Sequence, residues 1–374
     1  MPSHGGALRI LHLFRAPVGG LFRHVLDLAR AQAARGHQVG FVADSTTGGE
    51  RAEAAFRDIA PHLALGIERI AMSRAPGIGD VSAALRAGVH ARAIGAHVVH
   101  GHGAKGGLYA RLAHIDALKA YTPHGGSLNY SKWSPAGFVY LGCESLLRLR
   151  TDVFLFESAY AQATFRSKIG PPRGVARVVH NGIGPAEFEP VRPAADARDL
   201  VFVGEFADRK GIDLLLQALA RLNRQGVRLT LAAVGAGPAE AALRALAERL
   251  DLAGQIRFLP AQPARQAFAM GRVLVVPSRA ESLPYIVLEG VAAGLPIVAT
   301  NVGGVPEIFG PWSHALVPPE DVGALAEAIT ADAEARAAIS RKVHERILAG
   351  FSTEAMCDGV LAAYQDGLNF RQSA

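Results

Sequence analysis

The chain has 374 residues, of which 50% are hydrophobic and 19% charged, and its formal net charge is +6. This composition excludes a disordered protein, and the length favours two domains over one. The two cysteines, Cys143 and Cys357, lie far apart and in no metal-like spacing. They argue against a disulfide framework or a zinc site and favour a reducing, cytoplasmic environment.

The charge is unevenly distributed along the chain. Residues 1–185 contain 21 Lys and Arg against 11 Asp and Glu, a formal charge of +10, whereas residues 186–374 carry −4. A basic half can attract phospholipid head groups or a lipid diphosphate, and an arginine-rich soluble surface is an equally good interpretation. No zinc-finger spacing and no interleaving of basic and aromatic residues supports nucleic acid as a partner. We therefore expect a cytoplasmic protein, with peripheral contact to the inner face of the membrane as an open alternative.

Short apolar runs alternate with helical patterns in the first half of the chain. The first run is interrupted by His12 and Arg15 and predicts a buried strand instead of a signal peptide. A helical pattern follows from about residue 21 to residue 35, with Gly36 as its C-cap. The strands predicted in this half are 8–13, 37–42, 98–100, 120–122, 153–157 and 175–180.

The same alternation restarts near residue 199. It predicts strands at 199–204, 229–234, 256–259, 272–277 and 296–300, and helices at 212–222 and 239–250. Strands that alternate with helices predict parallel sheets covered on both faces. Residues 184–193 contain three prolines and no periodicity, which is typical of a linker between domains. We therefore expect an α/β protein with two doubly wound, Rossmann-like domains, 1–185 and 186–350, which bind ligands at the carboxyl ends of their strands, in the cleft that they form.

The most informative segment runs from residue 277 to residue 296. A strand ends at its start, and a helix follows whose first turn is predicted to contain Pro284. The amide groups near Ser282 and Leu283 then face the helix N-terminus, where they can bind an anion or a sugar hydroxyl. Glu281 lies at this end, and Glu289 lies inside the helix among apolar neighbours. One interpretation is a capping carboxylate and a salt-bridged one; the other is two carboxylates that grip sugar and ribose hydroxyls.

The pair Glu281 and Glu289, with seven residues between them, is followed by AAGLPIVAT (292–300) and VGGVPEI (302–308). Together these segments resemble the signature of glycosyltransferase family 4, whose members are retaining enzymes of the two-Rossmann (GT-B) fold. The resemblance implies that Glu281 contacts the transferred sugar and Glu289 the ribose of the nucleotide. The backbone amides from Ser282 to Pro284 are implied to touch sugar and phosphate.

Two further segments carry the resemblance, and both are implied to bind the donor. GEFADRKG (204–211) resembles the family's phosphate-binding element, in which Lys210 balances the charge of the departing diphosphate. A solvent-exposed lysine is the alternative for Lys210. Many relatives have arginine where this chain has Glu205, so Glu205 binds another part of the donor or acceptor, or Arg209 compensates. The stretch 17–25 resembles the family's first loop, where Gly19 and Gly20 bring the backbone close to the donor and a Cβ would obstruct it.

The stretch YTPHGG (121–126) resembles the strand-end histidine that lies beside the transferred sugar, and this role is assigned to His124. A core or capping histidine is the alternative. Most of the fourteen histidines are expected to need no special explanation. Residues 98–107, with His102 and Lys105, resemble a strand and loop that face the cleft. Residues 351–374 are predicted to form a helix that returns to the first domain.

The resemblance implies an enzyme that moves a hexosyl group from a nucleoside diphosphate sugar with retention of configuration. His124, Glu281 and Lys210 are its implied catalytic residues. No enzymic nucleophile is expected, because the leaving phosphate helps to deprotonate the acceptor. No cofactor or metal is expected, because no DxD-type acidic pair precedes the cleft elements and the resemblance implies a fold that generally needs no bound metal. The segment 127–140 is rich in aromatic residues and could hold a carbohydrate or lie against a membrane, and a core helix from 138 to 149 is the alternative.

The sequence of the segment that follows His124 is similar to that of bacterial exopolysaccharide or cell-envelope glycosyltransferases. This similarity implies a glycan or lipid-linked glycan as the acceptor. Two other classes of function remain open. One is a nucleotide-sugar epimerase or a phosphorylase on the same fold. The other is a non-catalytic nucleotide-sugar-binding protein, which the glutamate at position 205 makes conceivable.

Overall fold

A computed structural model describes residues 6–75 and 77–373 of the chain. The described residues form two compact units. The first unit contains the described residues of Met1–Gly182 and of Thr353–Ala374, and the second contains Ile183–Ser352. Among the described residues, no helix combines the length and the apolar character that crossing a bilayer requires.

The first unit is built on seven strands, β1 (Arg9–Phe14), β2 (Gln38–Asp44), β3 (Ile67–Ile70), β4 (Val98–His102), β5 (Leu118–Thr122), β6 (Val153–Phe156) and β7 (Val175–Val178). They form one parallel sheet in the order β3-β2-β1-β4-β5-β6-β7. The order reverses direction where β1 and β4 pair. Because the connections leave a parallel sheet on opposite faces at such a point, the carboxyl ends of these strands border a crevice.

Helices cover the sheet of the first unit. They are α1 (Gly19–Ala34), α2 (Gly49–Ile59), α3 (Gly79–Ala93), α4 (Gly103–Leu112), α5 (Pro135–Leu147), α6 (Ala159–Lys168) and, from the end of the chain, α14 (Thr353–Ser373). Helix α14 buries Met356, Val360 and Tyr364 in one core cluster with Leu118 and Val153 of the sheet. This apolar contact fastens the last helix to the first unit, since buried apolar area is the main stabilising term.

The second unit has five strands, β8 (Arg198–Val203), β9 (Leu231–Val234), β10 (Ile256–Leu259), β11 (Gly271–Val276) and β12 (Ile297–Ala299). They are also parallel, in the order β10-β9-β8-β11-β12, with the reversal where β8 and β11 pair. Its helices are α7 (Ile212–Arg224), α8 (Glu240–Arg249), α9 (Ala264–Phe268), α10 (Tyr285–Ala292), α11 (Val305–Phe309), α12 (Val322–Thr330) and α13 (Ala333–Gly350). The prediction of two doubly wound parallel α/β domains is confirmed.

Every predicted strand overlaps an observed one, and strand β10 has the predicted bounds. Strand β3 was missed because it contains Glu68 and Arg69 and offers no run of apolar side chains. The predicted placement of Pro284 inside helix α10 is wrong by one residue. Pro284 precedes the helix with extended backbone (φ −76°, ψ 121°), and Tyr285 is the first helical residue.

Candidate functional site

Two charged side chains meet at the carboxyl edge of the second sheet. Lys210 follows β8 and Glu281 follows its neighbour β11, so the strand order brings them together. Lys210 Nζ lies 2.5 Å from Glu281 Oε1, and the Ser278 hydroxyl donates to the same oxygen over 2.7 Å. The two side chains are only 15% and 7% exposed, so this ion pair is largely shielded from water. The alternative of a solvent-exposed Lys210 is wrong.

The backbone around this ion pair is packed so closely that two glycines have no room for a side chain. A Cβ on Gly211 would lie 2.0 Å from the Pro277 carbonyl oxygen, and a Cβ on Gly303 would lie 1.8 Å from that of Glu281. Both glycines also have positive φ, +67° and +57°. The glycines of the two sequence motifs are therefore what lets the loops after β8, β11 and β12 approach one another.

Arg279 fastens these loops and was not identified from the sequence. Its guanidinium donates to both carboxylate oxygens of Asp213 over 2.7 Å, to Glu320 over 2.8 Å and to the Asp208 carbonyl over 2.7 Å. Its own backbone N–H donates to the Arg209 carbonyl over 2.8 Å. Since a guanidinium can hold several acceptors in a fixed plane, Arg279 sets the distance between the loop of Lys210 and the loop of Glu281.

Glu205 and Arg209 pair with each other at the surface. Arg209 Nη2 lies 2.6 Å from Glu205 Oε2, and both side chains are about half exposed, 48% and 49%. An exposed pair of this kind contributes little stability. In this structure Arg209 therefore pairs with Glu205. It is not already positioned to replace the arginine that many relatives have at position 205.

Glu289 is buried within helix α10, with 8% of its surface exposed. A buried carboxylate requires partners, and Glu289 has them, as do Ser282 and Leu283. The Ser282 carbonyl accepts a hydrogen bond of 2.7 Å from the Gly304 N–H, which holds the loop before the helix. The sugar, ribose and phosphate contacts assigned to these residues and to Pro284 remain predictions.

In the first unit, Gly19 and Gly20 open helix α1 directly after the β1 loop. Gly19 has a φ of +66°, which favours glycine. No described atom lies within 4 Å of a Cβ placed there. Within this chain, Gly19 is therefore explained by its backbone conformation and not by crowding, whereas its approach to a donor remains a prediction.

His124 follows strand β5 in a strained turn. Its φ is +52°, in a region that non-glycine residues rarely adopt, and it precedes Gly125 with φ +75°. Its Nε2 lies 3.0 Å from His102 Nδ1, and its ring packs edge-on against that of His24, 4.7 Å between centroids. Such strain persists where surrounding contacts determine it, which is common at functional sites.

Four of the other thirteen histidines belong to the same cluster as His124 and were not singled out from the sequence. His12, His24, His100 and His102 are buried, with 0–3% of their surface exposed. His12, His100 and His102 lie on one side of the sheet because His12 is paired with His100 in register, and His102 follows two residues later on the same face. His24 lies on helix α1. The i, i+2 spacing of His100 and His102 was the signal available in the sequence.

Burial keeps these histidines neutral. Desolvation lowers the pKa of His12 and of His24 to about 4, although hydrogen bonds with Gln32 and Asn181 oppose the change. Desolvation and the neighbouring rings also lower the pKa of His100, His102 and His124 well below 6.5. At neutral pH each ring therefore has one N–H donor and one lone pair.

A buried ion pair supports the turn that contains His124. Arg111 is fully buried, and its Nη1 lies 2.7 Å from Glu144 Oε2. The other oxygen of Glu144 accepts hydrogen bonds from the Tyr121 hydroxyl over 2.8 Å and the Ser127 hydroxyl over 3.1 Å. Tyr121 and Ser127 flank the turn, so Glu144 fixes both of its ends. The sequence did not identify this network because its members are distant in the chain.

Two other sequence expectations meet a different environment. Lys105, which was expected in a loop facing the cleft, is buried and pairs with Asp80 at 2.6 Å, where the Tyr109 hydroxyl also donates over 2.6 Å. A helix replaces the predicted 138–149 at slightly different bounds, Pro135–Leu147. Helix α5 buries Leu141 and Leu147 but leaves 78% of Phe138 exposed, so only one of its faces belongs to the core.

Comparisons with known proteins extend over both units. A family model described as glycosyltransferase family 4 matches residues 18–187, and one described as glycosyl transferases group 1 matches residues 185–343. The chain is 28% identical over 203 residues to a putative colanic acid biosynthesis glycosyltransferase of Escherichia coli, and the match spans half of each chain. It is 27% identical over 382 residues to glycogen synthase of Mycobacterium tuberculosis, which covers 93% of this chain and 91% of the relative.

The fold is also found in solved structures. Sucrose-phosphate synthase from Thermosynechococcus elongatus superposes with a TM-score of 0.75 over 98% of both chains, at 23% identity. At that identity the similarity establishes the fold alone.

Proposed function

We propose, from the premise that this chain belongs to glycosyltransferase family 4, that it transfers a hexosyl group from a nucleoside diphosphate sugar with retention of configuration. The chain is a glycosyltransferase of the GT-B fold. What we add is the class of donor, the stereochemical outcome and the residues responsible. The observation that carries the proposal is the buried pair of Lys210 and Glu281 at the reversal point of the second sheet.

The ion pair suits the departure of a diphosphate. A lysine ammonium has three protons, and Lys210 donates one of them to Glu281. The remaining protons can bind a phosphate oxygen as negative charge develops on it, which lowers the barrier in a site shielded from water. Glu281, held by Ser278, then accepts hydrogen bonds from hydroxyl groups of the sugar. Lys210 and Glu281 can therefore form an ion pair with each other and still bind different parts of the donor.

Glu289 is proposed to bind the ribose of the donor, and the Gly19-Gly20 backbone, Glu205 and the Ser282–Pro284 amides to touch its phosphates and sugar. His124 is proposed to contact the transferred sugar. No enzymic nucleophile takes part, and the leaving phosphate accepts the proton of the acceptor hydroxyl as the new glycosidic bond forms. The diphosphate is proposed to be bound by these protein groups without a metal ion.

Thermal unfolding against a panel of nucleoside diphosphates and nucleotide sugars tests the donor site. A ligand at 100 times its Kd adds about 2.7 kcal/mol to the free energy of unfolding. We expect one nucleotide class to raise the unfolding temperature of the wild type, and Glu289→Ala to abolish the shift. Glu289→Gln, which keeps the shape of the buried side chain, should reduce it. Glu248→Ala, which removes an exposed glutamate of α8, is the matched control and should keep it.

Two outcomes would contradict the proposal. If no nucleotide stabilises the wild type, the donor site is wrong. If nucleotide sugars bind but neither transfer nor donor hydrolysis follows, the chain is a non-catalytic binding protein. Where product forms, its anomeric configuration by NMR should equal that of the donor, and inversion would contradict the retaining mechanism.

The acceptor is proposed to be a growing glycan or lipid-linked glycan of a bacterial polysaccharide or cell envelope. One relative is named a putative colanic acid biosynthesis glycosyltransferase, and another, in Bacillus subtilis, a putative teichuronic acid biosynthesis glycosyltransferase. The chain spans 50% and 40% of the length of these two relatives, so this assignment is a proposal about pathway class.

An exposed apolar stripe on α3 supports peripheral membrane contact by the first unit. Ile78, which precedes the helix, and Val81, Leu85 and Val89 are 94%, 62%, 64% and 58% exposed, and their spacing of three and four residues places them on one face. Arg86 on the same helix is 60% exposed and lies 3.3 Å from Glu68, within the half of the chain that carries +10. Apolar side chains beside basic ones are typical of helices that bind an anionic lipid surface.

Vesicle flotation measures this contact. We expect the protein to float with vesicles that contain anionic phospholipid and to float less with zwitterionic ones. The double variant Val81→Ser, Leu85→Ser should reduce binding by about tenfold, because burying two such side chains contributes a few kcal/mol at most. Leu348→Ser, at a 59% exposed position of α13, is the control. Equal binding by wild type and double variant would contradict the assignment.

A further inference from the structure

Three of the clustered histidines converge from different elements. His24 lies on α1, His102 ends β4 and His124 follows β5. One ring nitrogen from each lies within 4.8 Å of those of the other two. We call this group the three-histidine cluster. It differs from an ordinary buried histidine, which usually meets one or two hydrogen-bond partners, because nitrogens of three imidazole rings lie this close together.

The partners behind the cluster fix its tautomers. Gln32 Oε1 lies 2.8 Å from His12 Nε2, so the proton of His12 is on Nε2 and its Nδ1 is an acceptor. That acceptor lies 2.9 Å from His102 Nε2, which therefore donates and leaves His102 Nδ1 with a lone pair. By the same reasoning, the N–H at His24 Nδ1 donates to Asn181 Oδ1 over 3.0 Å, so His24 Nε2 carries a lone pair.

One of these lone pairs is not satisfied by the protein. His124 Nε2 can donate its proton to His102 Nδ1, 3.0 Å away. His24 Nε2 has no hydrogen-bond partner among the described residues, although the side chain is only 3% exposed. A buried acceptor without a donor is unfavourable, because it has given up its hydrogen bonds to water. The three facing nitrogens of the cluster thus share a single proton.

We propose that His24 Nε2, His102 Nδ1 and His124 Nε2 bind a divalent transition metal ion of the zinc class. Neutral imidazole is a preferred ligand of Zn²⁺, Co²⁺, Ni²⁺ and Cu²⁺, and three histidines leave a fourth position for water or another oxygen. On binding, His124 transfers its proton from Nε2 to Nδ1, so all three nitrogens present lone pairs. No net proton is released. Asn181 and His12 then orient two of the ligands, as the outer hydrogen bonds of metal-bound histidines do.

A second trio of nearby histidines is not a site. His12, His100 and His102 also have ring nitrogens within 4.8 Å of one another. However, His100 is paired at both nitrogens, with the Tyr364 hydroxyl at 2.7 Å and the Thr122 hydroxyl at 2.8 Å. Both nitrogens of His12 are paired as well. A metal there would break hydrogen bonds of both His12 and His100, whereas the three-histidine cluster gives up only the bond between His102 and His124, so the three-histidine cluster is the better site.

This inference goes beyond the proposed function and shares one residue with it, His124, which is proposed there to contact the transferred sugar. Cysteine spacing does not bear on a site made of histidines. The proposal that the donor diphosphate is bound without a metal ion concerns other groups, the Lys210 ammonium and the backbone amides of Gly19-Gly20 and Ser282–Pro284. Metal binding is measured without nucleotide, so its failure would leave the donor assignment unaffected.

Cobalt titration of the chelator-treated protein, without any affinity tag, tests the site. We expect visible absorption of Co²⁺ in a low-symmetry nitrogen environment, which equimolar Zn²⁺ abolishes. His24→Gln and His102→Gln should each weaken Zn²⁺ affinity by at least 100-fold in competition with a chelating dye. Asn181→Ala keeps all three ligands and should weaken it by about 10–100-fold. His62→Gln, at an exposed position of the same unit, is the matched control and should leave affinity unchanged.

The wild type decides the outcome even if a ligand variant fails to fold, which circular dichroism would show. Absence of Co²⁺ absorption, or Zn²⁺ affinity that His24→Gln does not change in a folded protein, overturns the proposal. Diffraction from zinc-soaked crystals at the zinc edge gives the second measurement. An anomalous peak about 2.0–2.1 Å from the three nitrogens supports the site, and a peak elsewhere overturns it.

Discussion

Lys210→Ala should lower kcat by about 10²- to 10³-fold, the usual effect of removing one group that stabilises developing negative charge. The ammonium is 15% exposed and bonded to Glu281, so water replaces it poorly as a partner for the diphosphate. KM for the donor should change less, because the interaction strengthens as the phosphate departs. Release of nucleoside diphosphate from the nucleotide sugar that stabilises the wild type is the measurement.

The adjacent Arg209 provides the matched control for Lys210. Arg209→Ala removes a cation from the same loop, but one that is about half exposed and paired with Glu205. It should change kcat by only a few fold. Lys210→Arg keeps the charge with a different shape and should recover part of the loss. A folded Lys210→Ala variant with kcat within threefold of the wild type would show that Lys210 does not stabilise the departing diphosphate.

Glu144→Gln should destabilise the first unit by about 3–5 kcal/mol, the range found when one partner of a buried ion pair is removed. The Arg111 guanidinium is fully buried, and only Glu144 offers it an opposite charge within salt-bridge distance among the described residues. Urea unfolding followed by circular dichroism measures the change. Glu240→Gln breaks an exposed pair with Arg244 and, as the control, should cost less than about 1 kcal/mol.

A double variant distinguishes the contribution of the ion pair to stability from the effect of changing the shape of the two buried side chains. Arg111→Met with Glu144→Gln removes both charges and should be less destabilised than the sum of the two single variants. The difference is the coupling energy of the pair. Additive losses, or a Glu144→Gln variant within 1 kcal/mol of the wild type, would mean that the pair does not stabilise the turn around His124.

The sequence alone determined the two-unit α/β organisation. Strand β10 and the start of α7 were predicted within a residue, because alternation of apolar runs with helical periods is a local property of the chain. The segment 277–308 also identified the family, since motif residues that lie within a short stretch keep their spacing in any structure. Glu281 and Glu289 could be selected for this reason before any contact was known.

Only the tertiary structure decided which side chains meet. Arg279 contacts Asp213 and Glu320, each more than forty residues away in the chain, and nothing near Arg279 indicates those partners. The cluster around His124 was not predicted for the same reason, because His24 and His124 are separated by a hundred residues and share no motif. Their convergence depends on the order β1-β4-β5 and on the register that pairs His12 with His100. Strand order and register arise from packing between distant elements, which a local pattern of residues does not encode.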